Sequence, residues 1–600
     1  MANPPKYRPH AVKREDRSDG TILLTSGYDM SPVAETSADW LHRWAAERPK
    51  AVFLADRSGL GWREVGYAET LQRVRALAGG LLARGLTADT PILIISGNGV
   101  DHGLLSLAAH YVGIPTVPVA EQYSLIPGAQ AQLKYVINLI RPRMVYAVDG
   151  QKFGTALALD DMQGLDIVVS HGAGPGMTRI DDLMTGDDGV DAAATLVGPD
   201  SVVKILMTSG STSSPKGVQT THRMMCTNQA MIVDALPFLQ SRPPRIVDWL
   251  PWNHVFGGSH NFNMMLANGG SLYVDEGKPA PHLVGLTVEN NRLMSATMAF
   301  NVPIGYAQLR DVMRTDAGLR QQFFEDLDML FYAGASLPQD VWRDLADMAM
   351  EVRGDVPLMN SSWGLTETAP ACMIQHQLTD MSGVVGVPMT GCTVKLLPED
   401  STRFEVRVKG PNIMTAYFQD PAKTAEAFDD EGYFKTGDAM TFVDPDDMTK
   451  GMKFDGRISE DFKLMTGIWV RAAQLRLDML VALAPMAADV IVTGADRTEV
   501  GLMIVPAAGA VAPKDARDDA GALIAPGLQE QIRARLVEKA KTAAGSSGRV
   551  VRALVLSEPP SMAEGEITAK GNLNFRKLLT RRANLLQRLY TDDDPAVIHI

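Results

Sequence analysis

The chain has little cysteine, three residues in 600, and none stand in a CxxC spacing. Cys226, Cys372 and Cys392 are scattered, which excludes a disulfide framework and a zinc ribbon and suits a reducing compartment. There is no excess of positive charge. The net charge is −13 and the pI about 5.4, which excludes a general affinity for nucleic acid or anionic lipid. A long hydrophobic run is also missing. The most apolar stretch, residues 91–120, is broken by Asn98, Asp101, His102 and His110, so no membrane span is expected. Residues 1–19 hold no apolar core of the kind a signal peptide needs. These absences predict a soluble cytoplasmic protein. What is present is length and apolar content, 600 residues at 46% hydrophobic, enough for two or more domains with sizeable cores. An acidic protein of this kind can bind a polyphosphate only through a local cluster of donors.

One such cluster lies at residues 208–217, Thr-Ser-Gly-Ser-Thr-Ser-Ser-Pro-Lys-Gly. The apolar run 202–207 before it reads as a buried strand. The segment itself reads as a loop that curls N–H and O–H groups around an anion, with Lys216 adding charge. Thr220 or Thr221 can then N-cap a helix through Met224, Met225 and Met231. Strand, loop and helix in this order form a phosphate-binding arrangement. It is not a Walker A loop, because Pro215 precedes Lys216 and Gly217 follows it. A flexible Ser/Gly linker is the competing reading.

The rest of the chain alternates. Strands at 91–96, 113–119 and 144–148, with helices at 67–84, 101–111 and 129–140, predict an α/β fold with a mostly parallel sheet flanked by helices. Strands at 245–250, 329–332 and 357–363 each run into a polar, glycine-containing segment. With the first loop, these segments can converge on one crevice beyond the strand ends, which weighs against the linker. Residues 1–35 read as a flexible lead-in, 36–456 as a large N-terminal domain with a small antiparallel β subdomain from about 391, and 457–600 as a smaller, mobile α+β C-terminal domain. Residues 507–522, rich in Ala, Gly and Asp, read as a loop.

Six segments in order, namely 208–217, Gly334-Ala335-Ser336, Trp363-Gly364-Leu365-Thr366-Glu367, Tyr433-Phe434-Lys435-Thr436-Gly437-Asp438, Gly456-Arg457-Ile458-Ser459-Glu460-Asp461-Phe462-Lys463 and Lys570, together resemble the acyl-adenylate-forming superfamily of acyl- and aryl-CoA synthetases, luciferases and peptide-synthetase adenylation domains. The resemblance implies ATP, Mg²⁺ and coenzyme A. By it, Thr208, Ser209, Gly210, Ser211, Thr212 and Lys216 grip the β- and γ-phosphates, with Thr212 beside the metal. Gly334, Ala335 and Ser336 line the adenine. Thr366 touches the α-phosphate, and Glu367 holds Mg²⁺ after Trp363. Asp438 and Arg457 bind the ribose, Ser459 is the hinge between domains, and Lys463 is a further cofactor contact. Lys570 bridges the carboxylate and the α-phosphate. His254 gates the acid pocket, with Phe256, Gly257 and Trp363 beside it. Alone, Glu367 reads equally as a helix-terminal carboxylate and His254 more readily as a packed turn histidine; the resemblance gives them these roles. The resemblance leaves a homodimer open.

Four positions depart from the family pattern. Ser213 replaces Gly, Trp363 replaces Tyr, Ser459 replaces Asp or Lys, and Ala569-Lys570-Gly571 inverts the usual Gly-Lys order, with Lys577 as the fallback lysine. Residues 250–258, 331–338, 361–370 and 460–470 further resemble the feruloyl-CoA synthetases. That likeness implies ferulate and related hydroxycinnamates as the acids. Trp252, Phe256 and Trp363 offer flat faces, and Gly257 and Gly258 leave room. The rival expectations are a medium-chain or other aryl- or fatty-acyl-CoA synthetase, and a non-catalytic acyl-nucleotide binding protein.

Overall fold

The computed structural model describes residues 6–186, 188–208, 215–280, 282–334, 337–507, 509–511, 515–543, 545–561, 564–567 and 573–600. The chain divides into two compact units. One comprises Met1–Thr436 and Thr441–Phe454, the other Gly437–Met440 and Asp455–Ile600. Among the described residues no helix is long and apolar enough to cross a membrane.

In the first unit a seven-stranded sheet carries Val202–Thr208, Thr116–Pro118, Ile92–Ile94, Met144–Asp149, Asp166–His171 and Met177–Arg179 as parallel neighbours. The helix Val100–Tyr111 is buried along its whole length, which is why its segment reads as so apolar. Its polar residues have partners. Arg63 donates to Asp101 at 3.2 Å, His102 Nδ1 to the Gly97 carbonyl at 2.9 Å, and His110 Nε2 to the Thr116 hydroxyl at 2.9 Å.

A three-stranded parallel sheet aligns Met298–Asn301, Met329–Tyr332 and Leu358–Asn360. Successive side chains alternate between faces. Ala299, Leu330, Tyr332 and Met359 enter a helical core. Phe300, Phe331 and Asn360 share one register row on the opposite face. The stretch 357–363, expected as one strand, is broken: Ser362–Gly364 leaves this sheet to pair antiparallel with Ala371–Ile374 in a nine-stranded sheet.

Within 6–35, where a flexible lead-in is expected, the structure has paired strands. Val12–Asp16 and Ile22–Ser26 form a hairpin, and Ile22–Ser26 extends the nine-stranded sheet along Thr393–Pro398. Ile22 and Leu24 face inward while the outer strand keeps its charges in water, a common way to finish a sheet edge. His10 fastens the segment: its Nδ1 donates to the Thr449 carbonyl at 2.6 Å, and its Nε2 accepts from the His376 N–H at 3.1 Å. The β subdomain expected from about 391 belongs to this same sheet.

The second unit is an α/β sandwich. Its sheet orders Ala487–Thr493, Val500–Pro506, Val550–Val555 and Val597–His599. One face (Val490, Leu502, Ile504, Val555) packs with Met479 and Ile532, the other (Ile491, Met503, Leu554) with Leu578 and Leu589. Part of the expected loop at 507–522 pairs instead, as the hairpin of Arg517–Asp519 with Ala522–Ile524.

Candidate active site

The donor-rich segment departs from the expected strand, loop and helix. Val202–Thr208 pairs antiparallel with a return strand, Lys216–Thr221, from Thr208 opposite Lys216 to Val202 opposite Thr221. The helix His222–Ala235 begins only then, with Thr221 accepting from the Met224 N–H at 3.3 Å. Its N-terminus therefore lies a strand's length from Lys216, roughly 17 Å. The helix dipole therefore does not reach the surroundings of Lys216. Ser209, Gly210, Ser211 and Thr212 lie outside the described residues, as does Ser213.

Lys216 and Glu367 are linked by Tyr417, which lies in none of the six segments. The Tyr417 hydroxyl donates to Glu367 Oε1 at 2.9 Å, and Lys216 Nζ stands 4.7 Å from the centre of its ring. Burial and the neighbouring carboxylate both push the Tyr417 phenol up, so it remains a donor. The same stretch is bound to the return strand, with the Phe418 N–H on the Gly217 carbonyl at 2.7 Å, and to the Glu367 carbonyl through the Met414 N–H at 2.8 Å. Thr366 is buried in the turn Thr366–Thr368, and Trp363 in the strand before it. The structure thus gathers Thr208, Lys216, Trp363, Thr366 and Glu367. Gly334 follows the strand Met329–Tyr332 with φ +87°, a left-handed conformation that suits glycine. Ala335 and Ser336 lie outside the described residues.

Among the described residues no group of three His, Cys, Asp or Glu is placed to hold a metal ion. Glu367, joined through Tyr417 to Lys216, is the kind of carboxylate oxygen that fits Mg²⁺, which is typically held by one or two carboxylates together with substrate phosphates.

His254 starts a tight turn, its Nδ1 accepting from the Phe256 N–H at 3.3 Å and its carbonyl from the Gly258 N–H at 2.8 Å. A π-helical segment, Phe256–Asn261, follows; such segments are frequent at functional sites. A Cβ on Gly257 would strike the Leu250 carbonyl, and one on Gly258 the Trp252 carbonyl. Both glycines therefore serve close backbone packing, and the expectation that they leave room for an acid is corrected. Trp252 likewise turns away from Phe256, packing on His102 and Phe262 at 5.0 Å between centroids.

Phe256 has different neighbours, all missed in the sequence. Its ring lies 5.7 Å from His260, 6.2 Å from Phe300 and 5.5 Å from Phe331. Asn360 extends the row of Phe300 and Phe331. His260 Nδ1 donates to Asn261 Oδ1 at 2.8 Å, and Asn261 Nδ2 donates to Asp248 at 3.0 Å. This leaves His260 Nε2 as an acceptor, and burial holds its imidazole neutral, down to about 4. His260 Nε2 and both amide atoms of Asn360 are buried without a partner, which is costly unless something else supplies one.

In the second unit, Arg457 Nε stands 3.5 Å from the buried Asp438. Ser459 is exposed in the short turn Ile458–Glu460. Lys463 pairs with Trp469 across a two-residue ladder, its Nζ 5.0 Å from the indole centre. Lys570 lies outside the described residues, but the ends of its segment are held together. Ile567 bridges Leu573, and the buried Glu566 accepts twice from Arg582 at 2.8 Å and once from Arg581 at 3.1 Å. Burial opposes the Glu566 charge, but Arg582, the Ser561 N–H and Arg581 outweigh it and hold the carboxyl down to about 2. Its folded value is below its unfolded one, so its stabilisation is full above the ordinary range near 4.5 and is lost as pH falls toward 2. Glu566→Gln is therefore expected to flatten the acid limb of this unit's unfolding midpoint between pH 5 and 2.5. At pH 7 it should destabilise by about 3–5 kcal/mol, since Arg582 stays buried. Thermal scans across that range read both effects.

The sequence profile of the family described as AMP-binding enzyme matches residues 41–418, and that of the AMP-binding enzyme C-terminal domain matches 466–594. The luciferin 4-monooxygenase of Nipponoluciola cruciata is 25% identical over 434 residues, 68% of this chain and 74% of that protein. The 4-coumarate–CoA ligase 3 of Oryza sativa subsp. japonica is 28% identical over 303 residues, 48% of this chain and 51% of that one. The solved anthranilate CoA ligase AuaEII with anthranoyl-AMP is 19% identical, covers 93% of this chain and 99% of its own, and superposes with a TM-score of 0.71. With one profile spanning more than half of it, the chain belongs to the AMP-binding enzyme family, the acyl-adenylate-forming enzymes that include the AMP-forming acid–CoA ligases.

Proposed function

We propose that the protein is an ATP-dependent acid–CoA ligase for aromatic acids, with ferulate and related hydroxycinnamates as its substrates. The observation that carries the aromatic reading is the row Phe300, Phe331 and Asn360 covered by Phe256 and His260. These rings pack on one another, and the unpartnered His260 Nε2 and Asn360 amide beside them are the groups that would accept from a phenolic hydroxyl and pair with the adjacent substituent of an aryl acid.

In this reading the acid's carboxylate oxygen attacks the α-phosphorus of ATP and pyrophosphate leaves. Lys216 and the loop at 208–217 hold the departing phosphates. Thr366 donates to the α-phosphate, and Lys570 bridges it to the incoming carboxylate. Glu367, oriented by Tyr417, is the protein ligand for Mg²⁺, which supplies charge neutralisation when bound. Asp438 and Arg457 take the ribose, a carboxylate being suited to accept two O–H bonds. The C-terminal domain then turns about Ser459 and presents residues 466–469 to the pantetheine arm, and the CoA thiolate displaces AMP from the acyl-adenylate. The exposure of Met465, Ile468 and Trp469 supports a surface made to meet a partly apolar chain.

Ferulate-dependent exchange of pyrophosphate into ATP, followed by thioester formation on adding CoA, tests the reading. Exchange with octanoate but not ferulate would overturn the substrate, and no exchange with any acid would overturn the enzyme. His260→Phe is expected to lower kcat/KM for ferulate about tenfold more than for cinnamate, which lacks the ring hydroxyl. Equal losses on the two acids would remove His260 from substrate recognition.

A further inference from the structure

The strand that leads into the phosphate loop carries a buried cation that the proposed reaction does not use. Lys204 is 6% exposed, and its ammonium donates to the carbonyl of Gly258 in the π-helical segment. No carboxylate is close enough to influence it among the described residues. Its other neighbour is the Phe262 ring, 5.8 Å from the ammonium to the centroid; a buried ammonium without a counter-ion is costly, and burial pushes this one down to about 7.

The ammonium faces a cavity between the strand Val202–Thr208, the buried helix Val100–Tyr111 and the segment after His254. Trp252 and Asn263 are among the residues that line it, and the indole N–H of the one and the amide N–H₂ of the other are buried without a partner. His102 and His110 also line it. Burial, with Lys204 adding to it, holds both well below the usual imidazole range, so neither contributes positive charge. The cavity thus has one cationic group, Lys204, and two unused N–H donors, on Trp252 and Asn263. The room for a water-sized centre is about 20 Å³, enough for one or two atoms of that size and too little for an organic molecule.

We propose that this cavity binds a single small monovalent anion of halide size, held by the Lys204 ammonium, the Trp252 indole N–H and the Asn263 amide. The anion balances the ammonium and satisfies both orphaned donors. It also keeps Lys204 bonded to Gly258, so the strand entering the phosphate loop and the segment following His254 stay braced to each other.

The full chain is exchanged into sodium isethionate, and bromide is titrated in at constant ionic strength and pH. The unfolding midpoint of the wild type is expected to rise and saturate. Trp252→Phe removes one N–H and keeps the ring, and should shift the bromide response to about tenfold higher concentration. Lys204→Met should abolish the response. If Lys204→Met does not fold, Trp252→Phe and a crystal grown in bromide decide the matter. An anomalous peak within hydrogen-bond distance of Lys204 Nζ and Trp252 Nε1 supports the site. Water at that position, or a wild-type midpoint indifferent to bromide, overturns it.

Discussion

Lys570→Ala is expected to lower acid-dependent pyrophosphate exchange by about 10²–10³-fold while leaving thioester formation from supplied acyl-adenylate within about twofold. The first half-reaction joins two anions, and negative charge grows on the α-phosphate as the carboxylate closes. A cation bridging both partners is worth most at that moment, so its loss should appear in kcat more than in KM for either substrate. The second half-reaction begins after that charge has left with pyrophosphate and has no use for the bridge. The inverted order Ala569-Lys570-Gly571 makes the experiment sharp. If Lys577→Ala carries the loss and Lys570→Ala does not, the fallback lysine holds the role. If thioester formation falls and exchange does not, the assignment to adenylation is wrong. Because Glu566 and its arginines hold the base of this segment, either substitution should leave the unfolding midpoint of the C-terminal unit unchanged.

Glu367→Gln should reduce exchange by about 10²-fold and move the Mg²⁺ requirement to higher concentration, because the amide keeps the shape and loses the charge a hard cation selects. Tyr417→Phe provides the comparison. It leaves the carboxylate and removes only the hydroxyl that orients it at 2.9 Å, so its effect should stay near tenfold and should also appear as a raised Mg²⁺ requirement. A Glu367→Gln enzyme with normal Mg²⁺ dependence would return Glu367 to an ordinary turn carboxylate.

Much of the fold was legible because strands and motifs alternate along the chain. The runs at 91–96, 113–119 and 144–148 are short, apolar and spaced by helices, and all three enter one parallel sheet. The N-terminal hairpin was not legible, since Val12–Asp16 has a single apolar residue and takes its place only beside Ile22–Ser26. The return strand Lys216–Thr221 was hidden by the capping signal of Thr221, which is real but acts one strand later. Candidate site residues inside contiguous motifs could be named from the sequence. Tyr417, His260 and Asn360 were not picked out, because each is placed by a partner far away in the chain: Glu367 for the first, Phe331 for the other two. Gly257 and Trp252 were misread for the complementary reason. Their residue types fit an acid pocket, and only the backbone carbonyls and rings against them show otherwise.

The return strand also fixes what this loop can tolerate. Thr208 and Lys216 are cross-strand partners at the last rung of an antiparallel ladder, so both ends of the segment between them are pinned at one strand spacing. A one-residue insertion beyond Lys216 would slip the register and turn Lys216 to the other side of the sheet, away from Tyr417. Homologues and designed variants should therefore hardly differ at all in the spacing from Lys216 to the helix that begins at His222.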